Sequence, residues 1–272
     1  MQIAATENTI YTSPDASKIF CYTPSILVTP TGRLIVSFDL GGEGVKSIEG
    51  HKSSRAGGSR FGQGKIFISD DNGQKWTFVQ NFPFWHARLF TIGNSIYLIG
   101  HAGDICIMKS EDNGESWSDT YFLTHGEKWH SSACNVLFSN GNVSLAMEQR
   151  CRLNEVTGWD VAGLSPTLFR ACVEDNLCLA SSWSRSEKFI YKEVFDGAKL
   201  DFFGIPFYDC ETNKPKEIAT GINNAPLGWL EANVVKFVDK DHIWHTDLKE
   251  VFHLFLRAHT GGVNYAHLFK IE

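Results

Sequence analysis

The chain has 272 residues, 43% of them hydrophobic and 21% charged, the balance of a folded globular protein rather than a disordered one. Its net charge is −6 and its lysines and arginines are scattered, so no basic stripe exists to neutralise a phosphate backbone, and nucleic acid is not an expected partner. No apolar run approaches the roughly 20 residues that span a bilayer. The start, MQIAATENTIYTSPD, has no basic segment followed by an apolar one, so neither a membrane span nor a signal peptide is expected.

The seven cysteines are irregularly spaced and include no CxxC pair. That argues against a zinc site and for small buried thiols in a reducing, cytoplasmic setting. Phenylalanine (20), tryptophan (8) and tyrosine (7) are plentiful beside 24 glycines, which suits a β-rich chain with many tight turns.

In chain order, short strand-like runs alternate with turn residues. SILVTPTGRLIVSFD holds two runs around Pro30-Thr31-Gly32, ARLFTIGNSIYLIGH two around Gly93-Asn94, and NVLFSNGNVSLAME two around Asn140-Gly141. Asparagine and glycine tolerate positive φ, which a two-residue hairpin turn demands. ANVVKFVDKDHIWHTDLKEVFHLFLRA repeats the pattern with a longer connection, and no long helical periodicity interrupts the series. Strands with regular turn signals and no helices predict a sandwich, barrel or propeller.

An internal repeat decides among these. IFISDDNGQKW and CIMKSEDNGESW align as Ser69-x-Asp71-x-Gly73-x-x-Trp76 and Ser110-x-Asp112-x-Gly114-x-x-Trp117, and the two tryptophans lie about 41 residues apart. That is the span of one four-stranded propeller blade. Each copy follows the third run of its unit and is followed by another short strand (TFVQNF, SDTYFL). The aspartate is expected to bond backbone N–H groups of its own turn, the glycine to supply a conformation closed to other residues, and the tryptophan to cap the hairpin. The turn is therefore a device of the fold. A calcium loop is not expected at DDNG, because the downstream glutamate and full ligand spacing are missing.

At these residues the chain resembles the Asp-box, or BNR-repeat, family, whose best-known members are the sialidases. ARLFTIGNSIYLIGH, WHSSACNVLFSNGNVSLAME and GWLEANVV extend the resemblance to a group of bacterial sialidase-like proteins of undefined substrate, over about Ser25 to Tyr265. DNLCLASSWSRS takes the place of a degenerate Asp box in the third unit. The resemblance implies an all-β, sialidase-like propeller of four-stranded antiparallel blades, with residues 1–272 as one domain. Four blades are visible, starting near Ser25, Arg88, Ala133 and Ala232. Related sialidases have six, so three outcomes stay open: the remaining blades are missing, a strand around Thr9–Thr12 closes a smaller ring, or the interval with DFFGIPFYDC holds a fifth blade.

In a propeller the innermost strands end around the axis, so polar residues at strand ends are the candidate site residues. Asp39 ends GRLIVSFD and reads as an acid/base or a turn cap. Glu148 ends VSLAME, where a carboxylate is costly unless solvated or paired, with Arg150 or Arg152 as expected partner. Trp129-His130 stands at the entrance to the third unit and Trp85-His86 at the expected equivalent place one unit earlier; each pair reads as a sugar-stacking and proton-handling pair or as packing. The resemblance implies that Glu231 stands where sialidases place the glutamate that polarises a nucleophilic tyrosine. It implies likewise that Arg257, with His259 nearby, stands where they bind the substrate carboxylate.

The departures matter too. Where sialidases carry Arg-Ile-Pro, this chain reads Tyr22-Thr23-Pro24, and threonine cannot hold a carboxylate bidentately. The expected activity is hydrolysis of a terminal sugar other than sialic acid from a glycan, with Asp39, Glu148 and Glu231 as catalytic carboxylates and Arg257, His259, His130, Trp129 and His86 orienting the sugar. The alternatives are a non-catalytic glycan- or protein-binding propeller, or part of a longer enzyme. No nucleotide loop, nucleophile-elbow serine or HExxH motif is present, and His245, His253 and His259 lack ligand spacing, so no cofactor and no metal are expected.

Overall fold

The structure, a computed structural model, describes residues 7–54, 61–130, 135–151, 164–188, 190, 228–236, 252–259 and 264–271, the last two spans as backbone alone. The chain divides into two compact units, Met1–Gly126 with Cys178–Ala180, and Glu127–Leu177 with Ser181–Glu272. Among the described residues no helix is long and apolar enough to cross a membrane.

The first unit holds two antiparallel sheets. One is the meander β1 (Phe20–Val28), β2 (Leu34–Gly41), β4 (Phe61–Ser69) and β5 (Thr77–Phe82), with the short β3 (Ser53–Ser54) on the far end of β4. The other is the four-stranded β6 (Trp85–Ile92), β7 (Ser95–Ala102), β8 (Asp104–Ser110) and β9 (Tyr121–Phe122). The second unit repeats the plan. Its first sheet splits the opening strand into β10 (Trp129–His130) and β11 (Leu137–Ser139), both paired to β12 (Asn142–Arg150), followed by β13 (Leu164–Cys172) and β14 (Trp183–Arg185). Its second sheet is β15 (Gly228–Lys236), β16 (Phe252–His259) and β17 (Asn264–Ile271). The four expected unit starts thus fall at or beside β1, β6, β10–β11 and β15.

The hairpins form where the turn chemistry demands. Asn140 (φ 45°) and Gly141 (φ 71°) are the two residues between β11 and β12, both left-handed as a type I′ turn requires. Strands β2 and β7 are buried along nearly their whole length because both faces are covered. On β2 the alternation separates two cores. Ile35 joins Ile66, Phe82, Leu89, Leu98 and Met108 between the first two sheets, while Val36, Phe38 and Leu40 face Ile19, Val45 and Phe67 on the other side.

That second core corrects one expectation. The segment around Thr9–Thr12 is not a strand and closes no ring. Instead Tyr11 lies over its own first sheet, its ring centroid 5.5 Å from Phe38, and Asn8 Nδ2 donates to Gly73 O at 2.9 Å. An aromatic ring that finds Phe38 and Phe67 to cover gains more by burial there than by pairing its backbone at a sheet edge. The thiols are also less uniform than expected. Cys106 and Cys178 are buried, Cys151 and Cys172 partly so, and Cys21 is exposed. DFFGIPFYDC, Cys134 and Cys210 lie outside the described residues.

The two repeated turns are superposable in their hydrogen bonds. Gly73 N donates to Ser69 Oγ at 2.9 Å and Lys75 N to Asp71 Oδ1 at 2.8 Å; Gly114 N donates to Ser110 Oγ at 2.9 Å and Ser116 N to Asp112 Oδ1 at 2.9 Å. Each joins the third strand of its sheet to the fourth. Trp76 Nε1 donates to Gly73 O at 3.0 Å, and in the third sheet Trp183 Nε1 donates to Leu177 O at 2.9 Å, so the DNLCLASSWSRS turn keeps the tryptophan cap without the Ser and Asp. Arg33 ties the first two units of the repeat together, bonding Asp70 at 2.6 Å and Asn113 O at 3.2 Å.

Candidate functional site

Three of the opening strands carry the same irregularity. In β1 the register slips by one residue between Tyr22 (opposite Asp39) and Ser25 (opposite Ser37). In β6 it slips between Trp85 (opposite His101) and Arg88 (opposite Ile99), and in β15 between Leu230 (opposite Arg257) and Asn233 (opposite Phe255). The extra residue is left-handed in each case: Thr23 (φ 48°), His86 (φ 51°) and Glu231 (φ 58°). The other non-glycine residues with positive φ among the described residues are Asn72, Asn113 and Asn140, all in turns. Threonine, histidine and glutamate have no such excuse; a bulge that holds them there stores about 1–3 kcal/mol of strain each, and such strain gathers at functional sites.

The bulges define equivalent positions. Asp39, His101, Glu148 and Arg257 each sit on the second strand of their sheet, opposite the residue that enters the bulge or, in the third sheet, the wider interruption between His130 and Leu137. All four are ionisable. Sequence reasoning found three of them and missed His101, although the signal was present: His101 ends the apolar run IYLIG as Asp39 ends LIVSF.

In the first unit Asp39 is fully buried, and its Oδ1 accepts a hydrogen bond from His86 N, in the bulge of the next sheet, at 3.1 Å. His86 Nδ1 lies 3.5 Å from His101 Nε2, and His101 is buried. Although Cys21 is largely exposed, partial desolvation first, and the Asp39 charge second, push its thiol above its ordinary value. Ser25 Oγ accepts from Leu89 N at 3.1 Å, so the opening strands are tied at two points.

In the second unit Glu148 is likewise fully buried. Its Oε2 lies 2.6 Å from His130 Nδ1, directly across the strand pair, and its Oε1 accepts from Ala232 N at 2.8 Å. Ala232 follows Glu231, whose exposed side chain stands on the bulge. The carboxylate of one sheet thus holds the bulge of the next, as Asp39 does in the first unit. His130 is the partner that makes burial of Glu148 affordable; Arg150 ends β12 half-buried, and Arg152 lies outside the described residues. Asn135 continues the same seam, its Nδ2 donating to Val234 O at 2.8 Å.

Two expectations change in detail. The Trp-His pairs are not equivalent: Trp85 stands opposite His101, whereas it is His130, one residue later in its pair, that stands opposite Glu148. Because side chains alternate along a strand, that offset puts tryptophan at one entrance where the other has histidine. Trp129 is buried edge-on against Phe169, centroids 5.2 Å apart, with Nε1 donating to Glu127 Oε2 at 2.8 Å, so its ring supports the site from behind. Arg257 and His259 lie on β16 opposite Leu230 and Gly228.

No family model matches the sequence, and no curated protein is similar to it. Among solved structures, the chain is similar to an α-L-arabinofuranosidase from Lactobacillus brevis, with 13% identity and a TM-score of 0.53 over 96% of this chain and 76% of that one. It also aligns with the catalytic domain of a Coprinopsis cinerea α-L-arabinofuranosidase (11% identity, TM-score 0.46, 96% and 68% of the two chains) and with a Trypanosoma rangeli sialidase (10%, 0.47, 90% and 30%). The first likeness carries the fold: an all-β chain of antiparallel, blade-like sheets of the kind that propeller glycoside hydrolases use.

Proposed function

We propose that the chain is a glycoside hydrolase that removes a terminal, uncharged sugar from a glycan, with Glu231 and Glu148 as its principal carboxylates. The observation that supports this is their juxtaposition in the second unit: a buried carboxylate bonded to the N–H of Ala232, and an exposed one on the strained residue just before it. Such a pair divides the work of glycoside cleavage. One carboxyl protonates the leaving oxygen while the other takes a proton from the attacking water or stabilises the oxocarbenium-like state, so that hydroxyl goes to the anomeric carbon and the proton to the alcohol. Arg257 and His259 on β16 are the groups we assign to holding the sugar, with Trp129 and His130 supporting Glu148; Asp39 and His86 make the corresponding carboxylate-to-bulge contact within the first unit. Residues 1–272 are taken as one functional domain, and the two repeated turns as Asp boxes.

The test is a screen of aryl glycosides that includes aryl α-L-arabinofuranosides, the sugar named for two of the similar structures. Turnover should fall about 10²–10⁴-fold in Glu231→Gln without loss of fold. A second reading, a non-catalytic glycan-binding propeller, is favoured by the burial of Asp39 and Glu148 and by their use in holding neighbouring bulges. Glycan binding with no turnover of any aryl glycoside would establish it and end the catalytic reading.

A further inference from the structure

The core between the first two sheets opens at its outer edge into a cavity of about 550 Å³. Met108 and Trp117 belong to that core and also line the cavity; Gln80, Asn81, Thr120 and Phe122 line it further. It involves none of the residues assigned to catalysis. We propose that it is a second carbohydrate site, which takes a neutral sugar residue of a glycan chain.

The size suits a ligand of that kind, within the roughly 300–1,000 Å³ of small-molecule pockets. The lining suits it better still. A sugar presents C–H patches that pack on aromatic rings and hydroxyls that pair with amides and other hydroxyls, and here Trp117 and Phe122 stand with Gln80, Asn81 and Thr120. Among the described residues lining the cavity there is no lysine or arginine, and Asp119 supplies a negative charge. Phosphate and sugar carboxylates are thereby disfavoured.

The strands are shaped to present these groups. A bulge in β5, where the register slips between Ile66 and Phe67 of its partner, lets Val79 and Phe82 both enter the core. The two residues between them, Gln80 and Asn81, are left to the cavity. Asn81 is held in advance by Lys65, whose Nζ donates to its Oδ1 at 2.9 Å, so little side-chain freedom is lost on binding. Phe122, in a strand of two residues, is 45% exposed, a large apolar side chain that lines the cavity and reaches solvent. Trp117 also departs from the repeat: Trp76 and Trp183 bond a turn carbonyl through Nε1, whereas the buried Trp117 Nε1 has no hydrogen-bond partner.

The inference shares with the catalytic reading only the choice of glycans as probes. L-arabinose, D-xylose, D-galactose and xylotriose are titrated against the full chain, followed by saturation-transfer NMR and tryptophan fluorescence, with N-acetylneuraminic acid as the anionic comparison. At least one neutral probe should bind in the millimolar range. Phe122→Ala and Gln80→Ala should each weaken it about tenfold, or about 1.4 kcal/mol, while leaving aryl-glycoside turnover unchanged. Glu231→Gln should leave that binding intact. Binding lost in Glu231→Gln but kept in Phe122→Ala would assign the sugar to the carboxylate site and overturn the proposal. So would preference for N-acetylneuraminic acid, or no binding of any probe at about 10 mM. Both substituted side chains reach the surface, and thermal unfolding of each variant separates loss of fold from loss of the site.

Discussion

A carboxylate with no solvent exposure persists only if its oxygens are engaged, and Glu148 meets that condition through His130 on one side and Ala232 N on the other. Removing it takes the acceptor from the buried Ala232 N–H and the ion-pair partner from the half-buried His130. Glu148→Ala should therefore lose about 3–5 kcal/mol of stability in urea unfolding, and Glu148→Gln, which keeps an acceptor for the N–H, about 1–3 kcal/mol. A Glu148→Ala protein within about 0.5 kcal/mol of the parent would show that the bulge needs no latch. Asp71 behaves differently because it is only half-buried. The Lys75 N–H, with help from Ser69, holds its carboxyl below the ordinary value, so on acidification the unfolded chain takes up the proton first. Its contribution is complete above about pH 4 and fades as the pH falls through the lowered folded value. In Asp71→Asn, the dependence of stability on pH below about 4 should flatten by up to one proton, read from acid titrations of the urea midpoint.

At the scale of elements, the repeated turn joins the third and fourth strands of its sheet by the same bonds in both copies, yet the two are not equally tolerant. Gly73 (φ 81°) would meet Trp76 at 3.4 Å if it carried a Cβ, an ordinary contact, whereas at Gly114 (φ 87°) the same atom would lie 2.5 Å from Ile35 Cδ1. Gly73→Ala should cost about 1–2 kcal/mol from backbone conformation alone. Gly114→Ala adds overpacking of a core isoleucine, about 1–3 kcal/mol more. Thermal unfolding of the two variants side by side tests this; equal losses would mean that Ile35 yields freely. The turns were legible in the amino-acid string because Ser, Asp, Gly and Trp each have a local reason to be there. The bulges were not. Nothing in the immediate neighbours of Thr23, His86 and Glu231 marks the slip; it is set by the paired strand and, at His86 and Glu231, by the carboxylates of Asp39 and Glu148 that accept from the bulge.

For the molecule as a whole, the blade plan followed from hairpin signals and the repeat, since Gly93-Asn94 and Asn140-Gly141 fall between the strands they were expected to join. The site was legible only in part. Asp39 and Glu148 announced themselves as charges ending apolar strands, and His101 would have by the same rule, but its equivalence to them depends on a one-residue register that side-chain patterns cannot reveal. Charge at this scale also bears on substrate. The chain carries −6 in net charge. On the proposed glycosidase reading, an anionic sugar would approach a chain of net negative charge. If the proposed hydrolase reading holds, aryl glycosides of neutral sugars should be turned over in preference to aryl sialosides by at least about tenfold in kcat/KM, a difference of about 1.4 kcal/mol. The neutral rate should also change little with added salt, because screening has no substrate charge to act on. Turnover of the sialoside that falls as salt rises would reveal an attractive cationic clamp, and would place the substrate among the acidic sugars instead.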